Sequence, residues 1–251
     1  MESLVGSPIR VLHAGFHKTG STFLQRRVFP NLPDTWYLGA PSLKEPKSAH
    51  HPAAPKLLLL SSEAACGFPY PLAERFSTAT LLANVRLFSI SKVFVIQREL
   101  SSWAASLYFQ TLNEGHWWTP EEFIHANREA LLTWNDATKQ LAQDLAEEGV
   151  EFQCYSHEEM SQNLQGTVDR ITDFLEVGRI SVSNEPINPS YYGGRTIWAY
   201  RKLNRLSALP GLRQAGRVFS ISPRRMMQKQ RGAMAAWLES SSRLRLDHLD
   251  L

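Results

Sequence analysis

Six mostly apolar residues, "IRVLHA" (9–14), open without a spacer into "GFHKTGST", where Gly15 and Gly20 stand five apart, and then into "STFLQRRVF", which reads as a helix stopped by Pro30. Strand, glycine loop and helix in immediate succession constrain the fold strongly. Where strands and helices alternate along a chain, the strands pair in parallel through helical crossovers. The two glycines let successive backbone N–H groups turn inward, and the following helix adds its positive N-terminus, which together make a cradle for an anion.

The rest of the chain repeats the alternation. "KLLLLSSE" (56–63) reads as a second strand, apolar on both faces as in a covered parallel sheet, and "KVFVIQRE" (92–99) and "VEFQCY" (150–155) read as a third and a fourth. Helical spacing lies between them in "STATLLANVRLFS" and "LSSWAASLYFQTL". Thr119, Pro120 and Glu122 supply an N-cap, a first-turn proline and a capping-box partner for a long helix ending near Gly149. Ser156 with Glu159 caps a short helix, and "TVDRITDFLEV" makes an amphipathic one closed by Gly178. The Pro-rich "APSLKEPKSAHHPAAPK" is a loop. These elements predict an α/β fold: a parallel β-sheet of the phosphate-loop type, flanked by helices on both faces, with a basic helical C-terminal appendage. Residues 1–184 form the α/β core, and residues 185–251 a C-terminal loop and helical appendage packed on it. Ligands of such sheets bind at the carboxyl ends of the strands, a rule that gathers His13–Thr22, Ser61–Glu63, Arg98 and Tyr155 onto one edge.

Net charge is +3, but the ten Lys/Arg between Arg195 and Arg231, with no Asp/Glu among them, leave the remainder at −7 (17 Lys/Arg against 24 Asp/Glu). So basic a segment faces an anionic ligand or serves as a solvated helical surface. Cys66 and Cys154 have no metal-ligand spacing and read as two reduced thiols. The first ten residues hold no apolar core of signal-peptide length, and no stretch approaches a membrane span; the expected place of work is the cytoplasm.

A metal-using nucleotide hydrolase or kinase carries its lysine directly after the second glycine and a strand-end Asp for Mg²⁺. Here Ser21 follows Gly20, the lysine is Lys18 in mid-loop, and the strands end in Ser-Ser-Glu and Gln-Arg-Glu. The pattern points to a phosphorylated ligand that reacts without a metal.

These residues carry a resemblance. G-x-x-K-T-G-S-T after a short strand resembles the 5′-phosphosulfate loop of sulfotransferases that use 3′-phosphoadenosine 5′-phosphosulfate (PAPS). The second half of that signature is a strand-end Arg with a Ser eight residues on, followed by S-x-Y, and here Arg98 precedes Ser106 and "SLY" brings Tyr108. The resemblance spans residues 9–178, including "DFLEV". It implies that Gly15, Lys18, Thr19, Gly20, Ser21 and Thr22 hold the 5′ end of PAPS, and that Arg98 and Ser106 clamp its 3′-phosphate. It further implies that Arg195, in "NPSYYGGR", folds back over that phosphate. Lys18 stabilises the charge on the departing oxygen. Glu63 is the first choice as general base and His17 the alternative, with His13 a hydrogen-bonded structural residue. The acceptor is a hydroxyl or amine of a carbohydrate or small metabolite, and 3′,5′-adenosine bisphosphate is the product. Neither a nucleic-acid partner nor a metal is implied.

Further features stay open on the residues alone. Ser61 and Ser62 orient Glu63 or touch the acceptor; Trp117 and Trp118 pack in a core or stack on a ring. The pair His50-His51 lacks a third ligand at metal spacing. A phosphotransferase on the same scaffold, or an inactive nucleotide-binding module, are the competing functions.

Overall fold

The computed structural model describes residues 7–39, 54–63, 65–66, 78–113, 116–183, 201–202 and 205. In chain order its elements are β1 (Ile9–Ala14), α1 (Ser21–Phe23), β2 (Thr35–Gly39), β3 (Leu57–Ser62), α2 (Thr78–Phe88) and β4 (Lys92–Gln97). They continue with α3 (Leu100–Asn113), α4 (Pro120–Ala126), α5 (Arg128–Glu147), β5 (Glu151–Ser156), α6 (His157–Gln162) and α7 (Leu164–Leu175). Contacts group the chain into two units, Met1–Arg98 with Leu132–Ile187, and Glu99–Leu131 with Asn188–Leu251.

The first unit holds a five-stranded parallel sheet in the order β2-β3-β1-β4-β5. One face packs Val11, Leu57, Leu59, Phe94, Ile96 and Tyr155 against Leu24, Val28 and Phe29 after the glycine loop and against Val168, Ile171 and Leu175 of α7. On the other face, Arg10 Nη1 reaches the Phe88 carbonyl at the end of α2 (3.0 Å), and Thr138 of α5 donates to Gln97 Oε1 (3.0 Å). Burial on both sides explains the uninterrupted apolar runs of β3 and β4. The α/β class with helices on both faces of a parallel sheet is the architecture expected from the sequence.

Register sets the heights at the carboxyl edge. Ala14 pairs with Ser62, so Glu63 stands level with Gly15. His13 pairs with Phe94, so Arg98 lies four residues beyond that pair, at the height of the loop. The crossover after β1 leads toward β3 and β2, and the one after β4 leads toward β5, so the switch point of the topology falls between β1 and β4.

Several local expectations are corrected. β2 had no counterpart in the sequence reading; it is a five-residue edge strand squeezed between Asp34, at φ 50°, and the Pro-rich stretch. Residues 40–53 of that stretch, His50 and His51 among them, lie outside the described residues. The helix after the loop does not stop at Pro30: α1 widens into a π-type turn (Leu24–Val28) and tightens into a 3₁₀ turn (Phe29–Asn31) that takes Pro30 in its first positions. The long helix is interrupted at Asn127 between α4 and α5. α7 closes on Glu176, not Gly178: Glu176 sits at φ 57° and the Val177 N–H reaches back to Thr172 O at 3.1 Å, while Lys92 Nζ binds the Glu176 carboxylate at 2.6 Å. Both predicted N-caps are present, the reciprocal Thr119–Glu122 box and Ser156 on the Glu159 N–H. Among the described residues no helix is long and apolar enough to cross a membrane.

Beneath the loop, His13 is wholly buried between Phe29 and Phe94 (ring centroids 5.2 and 4.9 Å), with Nδ1 2.8 Å from Ser61 Oγ. Burial lowers its pKa from 6.5 to about 4, against the opposing pull of Glu63. The unfolded chain therefore takes up this proton near pH 6.5 while the folded one refuses it to about pH 4. Stability must fall as pH drops through that window, by up to about 1.4 kcal/mol per pH unit. Urea unfolding followed from pH 7 to pH 4 should show a flatter loss in His13→Asn than in the unsubstituted protein. Identical slopes would assign the acid sensitivity to other groups.

Candidate active site

The loop grows out of β1 with one more rung of ladder: the Gly15 N–H donates to Ser62 O at 3.0 Å. That amide is committed to the sheet, so Gly15 offers a ligand room instead of a donor. A Cβ there would lie 2.6 Å from Ser21 Oγ, 3.2 Å from Glu63 Cγ and 3.3 Å from His13 Cε1. Thr19 is likewise spent inside the loop: it is fully buried and its hydroxyl donates to Phe16 O at 2.7 Å. Two residues turn left-handed, Lys18 at φ 66° and Gly20 at φ 92°. For lysine that conformation costs roughly 1–2 kcal/mol, and the Lys18 carbonyl is held by Arg98 Nη1 at 3.0 Å. Gly20 is required twice over, by its φ and because a Cβ would meet Met160 Cε at 2.7 Å and His157 Cδ2 at 3.3 Å.

Past Gly20 the donors are set for an anion. Ser21 is 1% exposed, and its buried Oγ has no hydrogen-bond partner among the described residues. Thr22 beside it is half-buried, and the first N–H groups of a helix have no intrahelical acceptor. An orphaned hydroxyl bordering the space vacated at Gly15 is the donor chemistry a phosphate or sulfate oxygen satisfies. The residues present therefore offer donor chemistry that suits a phosphate or sulfate group.

The two alternatives for the base turn out to be neighbours. His17 Nδ1 lies 3.3 Å from Glu63 Oε2, with side chains 23% and 29% exposed, and His17 Nε2 is buried. Ser61 does not orient Glu63. Its hydroxyl is engaged by His13 Nδ1, by Gln25 Nε2 at 3.0 Å and by Tyr37, whose hydroxyl burial pushes up to about 12. His13 Nε2 is buried with no partner among the described residues.

Gly15–Thr22, Glu63 and Arg98 thus converge on one edge of the first unit. Ser106 belongs to the second unit, buried in the second turn of α3, and Arg195 lies outside the described residues. In the second unit Tyr108 donates to Trp118 O at 3.0 Å, and burial raises its pKa to about 12. Trp117, for which core packing and ring stacking both stood open, is 43% exposed, and its carbonyl accepts from Arg201 Nε at 3.2 Å. Both thiols are unpaired, and burial pushes Cys66 up to about 12 and Cys154 to about 11.

Sequence reasoning passed over three contributors to the loop's surroundings: His157 and Met160, which pack on Gly20, and Trp134, whose indole Nε1 donates to Arg98 O at 2.7 Å. The one signal for His157 is its place directly after the capping Ser156 at the end of β5. Trp134 leaves no signal, because nothing in its helix marks which turn meets β4.

No family model matches the chain, and no curated protein matches it. Among solved structures it is similar to a sulfotransferase from Alicyclobacillus acidocaldarius, with a TM-score of 0.50 and 14% identity over 84% of this chain and 100% of the other. At that identity the likeness is one of architecture, and the chain has a sulfotransferase-like α/β fold.

Proposed function

We propose that the chain is a sulfotransferase that moves a sulfuryl group from PAPS to a hydroxyl or amine of a carbohydrate or small-metabolite acceptor. One observation carries this reading. At the switch point, a glycine loop with its lysine in mid-loop meets a strand-end arginine, Arg98, where a metal-dependent phosphotransferase holds a carboxylate. A guanidinium in that place attracts phosphate oxygens.

PAPS supplies a sulfuryl group already activated by its anhydride link to the 5′-phosphate. Lys18, Gly20, Ser21 and Thr22 would hold that end, with Gly15 clearing space and Thr19 fixing the loop. Arg98 would hold the 3′-phosphate, the part that the resemblance also gives to Ser106 and Arg195. Lys18 would supply the ammonium that stabilises negative charge developing on the departing oxygen. Glu63 takes the acceptor's proton on Oε1 while His17 steadies Oε2 through Nδ1. The buried Nε2 of His17 favours Glu63 as the group that meets the acceptor.

Incubation with radiolabelled PAPS across glycans and small metabolites tests the reading directly. Turnover of ATP with Mg²⁺ but none of PAPS would restore the phosphotransferase. Tight 3′,5′-adenosine bisphosphate binding without any turnover would leave a binding module. Lys18→Ala is expected to lower turnover about 10²–10³-fold while calorimetric affinity for the bisphosphate stays within a few-fold. Equal losses would make Lys18 an anchor only. Glu63→Gln should reduce kcat by about 10²-fold or more, and His17→Gln by clearly less, both with bisphosphate affinity unchanged. The reverse ranking would give the base's part to His17.

A further inference from the structure

A closed ring of contacts surrounds the lysine turn of the loop. Phe16 is 2% exposed and packs on Trp134 of α5, with ring centroids 5.1 Å apart at 59°. Trp134, itself 4% exposed, spends its indole N–H on the Arg98 carbonyl at 2.7 Å. Arg98, 9% exposed, sends Nη1 to Lys18 O at 3.0 Å. Thr19, next to Lys18, closes the circuit with its hydroxyl on Phe16 O at 2.7 Å. The residue thus enclosed is the loop's only described non-glycine with a left-handed backbone, Lys18 at φ 66°. Such a conformation persists where its surroundings over-determine it, and here the surroundings are this ring.

We propose that Trp134 is a positioning residue for Lys18. Its ring fixes the start of the loop through Phe16, and its N–H fixes the backbone from which Arg98 reaches the Lys18 carbonyl. Trp134 touches no ligand; it sets where the lysine stands. The bracket itself rests on geometry alone, and only its kinetic consequence rests on the sulfotransfer reading.

Trp134→Phe separates the two halves of the bracket, since it keeps an aromatic ring for Phe16 and removes the N–H. Amide hydrogen exchange of the unliganded full chain is expected to speed up about tenfold in the peptide covering residues 16–20, as the loss of one buried hydrogen bond implies. Peptides from β1 and β3 should remain as they were. Phe16→Leu, which breaks the other half, should raise exchange in the same peptide. Unchanged loop exchange in both variants overturns the proposal, as does acceleration spread evenly over the sheet.

Turnover supplies the second readout. Trp134→Phe should lower kcat about five- to tenfold, and should add nothing to the kcat loss in a Lys18→Ala background, because residues acting as one unit are non-additive. Additive losses would make Trp134 a structural residue and reject the positioning role. Absence of PAPS turnover by the unsubstituted chain defeats the sulfotransfer reading, and the exchange result then decides the bracket by itself.

Discussion

The hydrogen bond from Arg98 to the carbonyl of Lys18 joins the two central strands above the level at which their ladder ends. It exists because β4 overshoots β1: with His13 opposite Phe94, the residue after β4 arrives beside the loop and not beneath it. The left-handed turn at Lys18 needs that support, and the direction of the chain through Thr19 and Gly20 follows from the turn. From there Ser21 is delivered to the space left by the missing side chain of Gly15. A different register between β1 and β4 would undo each of these placements together.

The sheet also brings the acidic and the imidazole groups together. β3 ends level with β1, so Glu63 stands at the height of Gly15 and within reach of His17 two residues farther on. The same register puts Ser61 across from His13, where Gln25 and Tyr37 also meet it. A polar cluster so deep is tolerable because its members bond one another. The exception, His13 Nε2, lies under the part of the loop that also contains the orphaned Ser21 hydroxyl.

Much of this was legible from local pattern. Strand runs such as "LLLL" and "KVFVI" declare themselves through burial on both faces, and Thr119–Glu122 and Ser156–Glu159 through capping chemistry. The strand-end rule was enough to gather Lys18, Glu63, His17 and Arg98 on one edge, and the resemblance gave them their parts. What escaped depends on distant partners. β2 is a strand because β3 accepts it, not because "TWYLG" insists on it. Glu176 takes the turn expected of Gly178 where Lys92, on β4, binds its carboxylate. The commitment of the Gly15 amide to Ser62, the coupling of His17 to Glu63 and the contact of Trp134 with Phe16 are all matters of register and crossing geometry, which spacing in one chain does not encode.

The imidazole under the loop has an electrostatic consequence. Since His13 stays uncharged down to about pH 4, the floor of the cradle is electrically silent across the neutral range. For a bound anion, attraction would have to come from the rim, where Lys18 and Arg98 stand, and not from this imidazole. The floor would therefore give an anion shape and hydrogen-bonding capacity but no acid-dependent grip around neutrality.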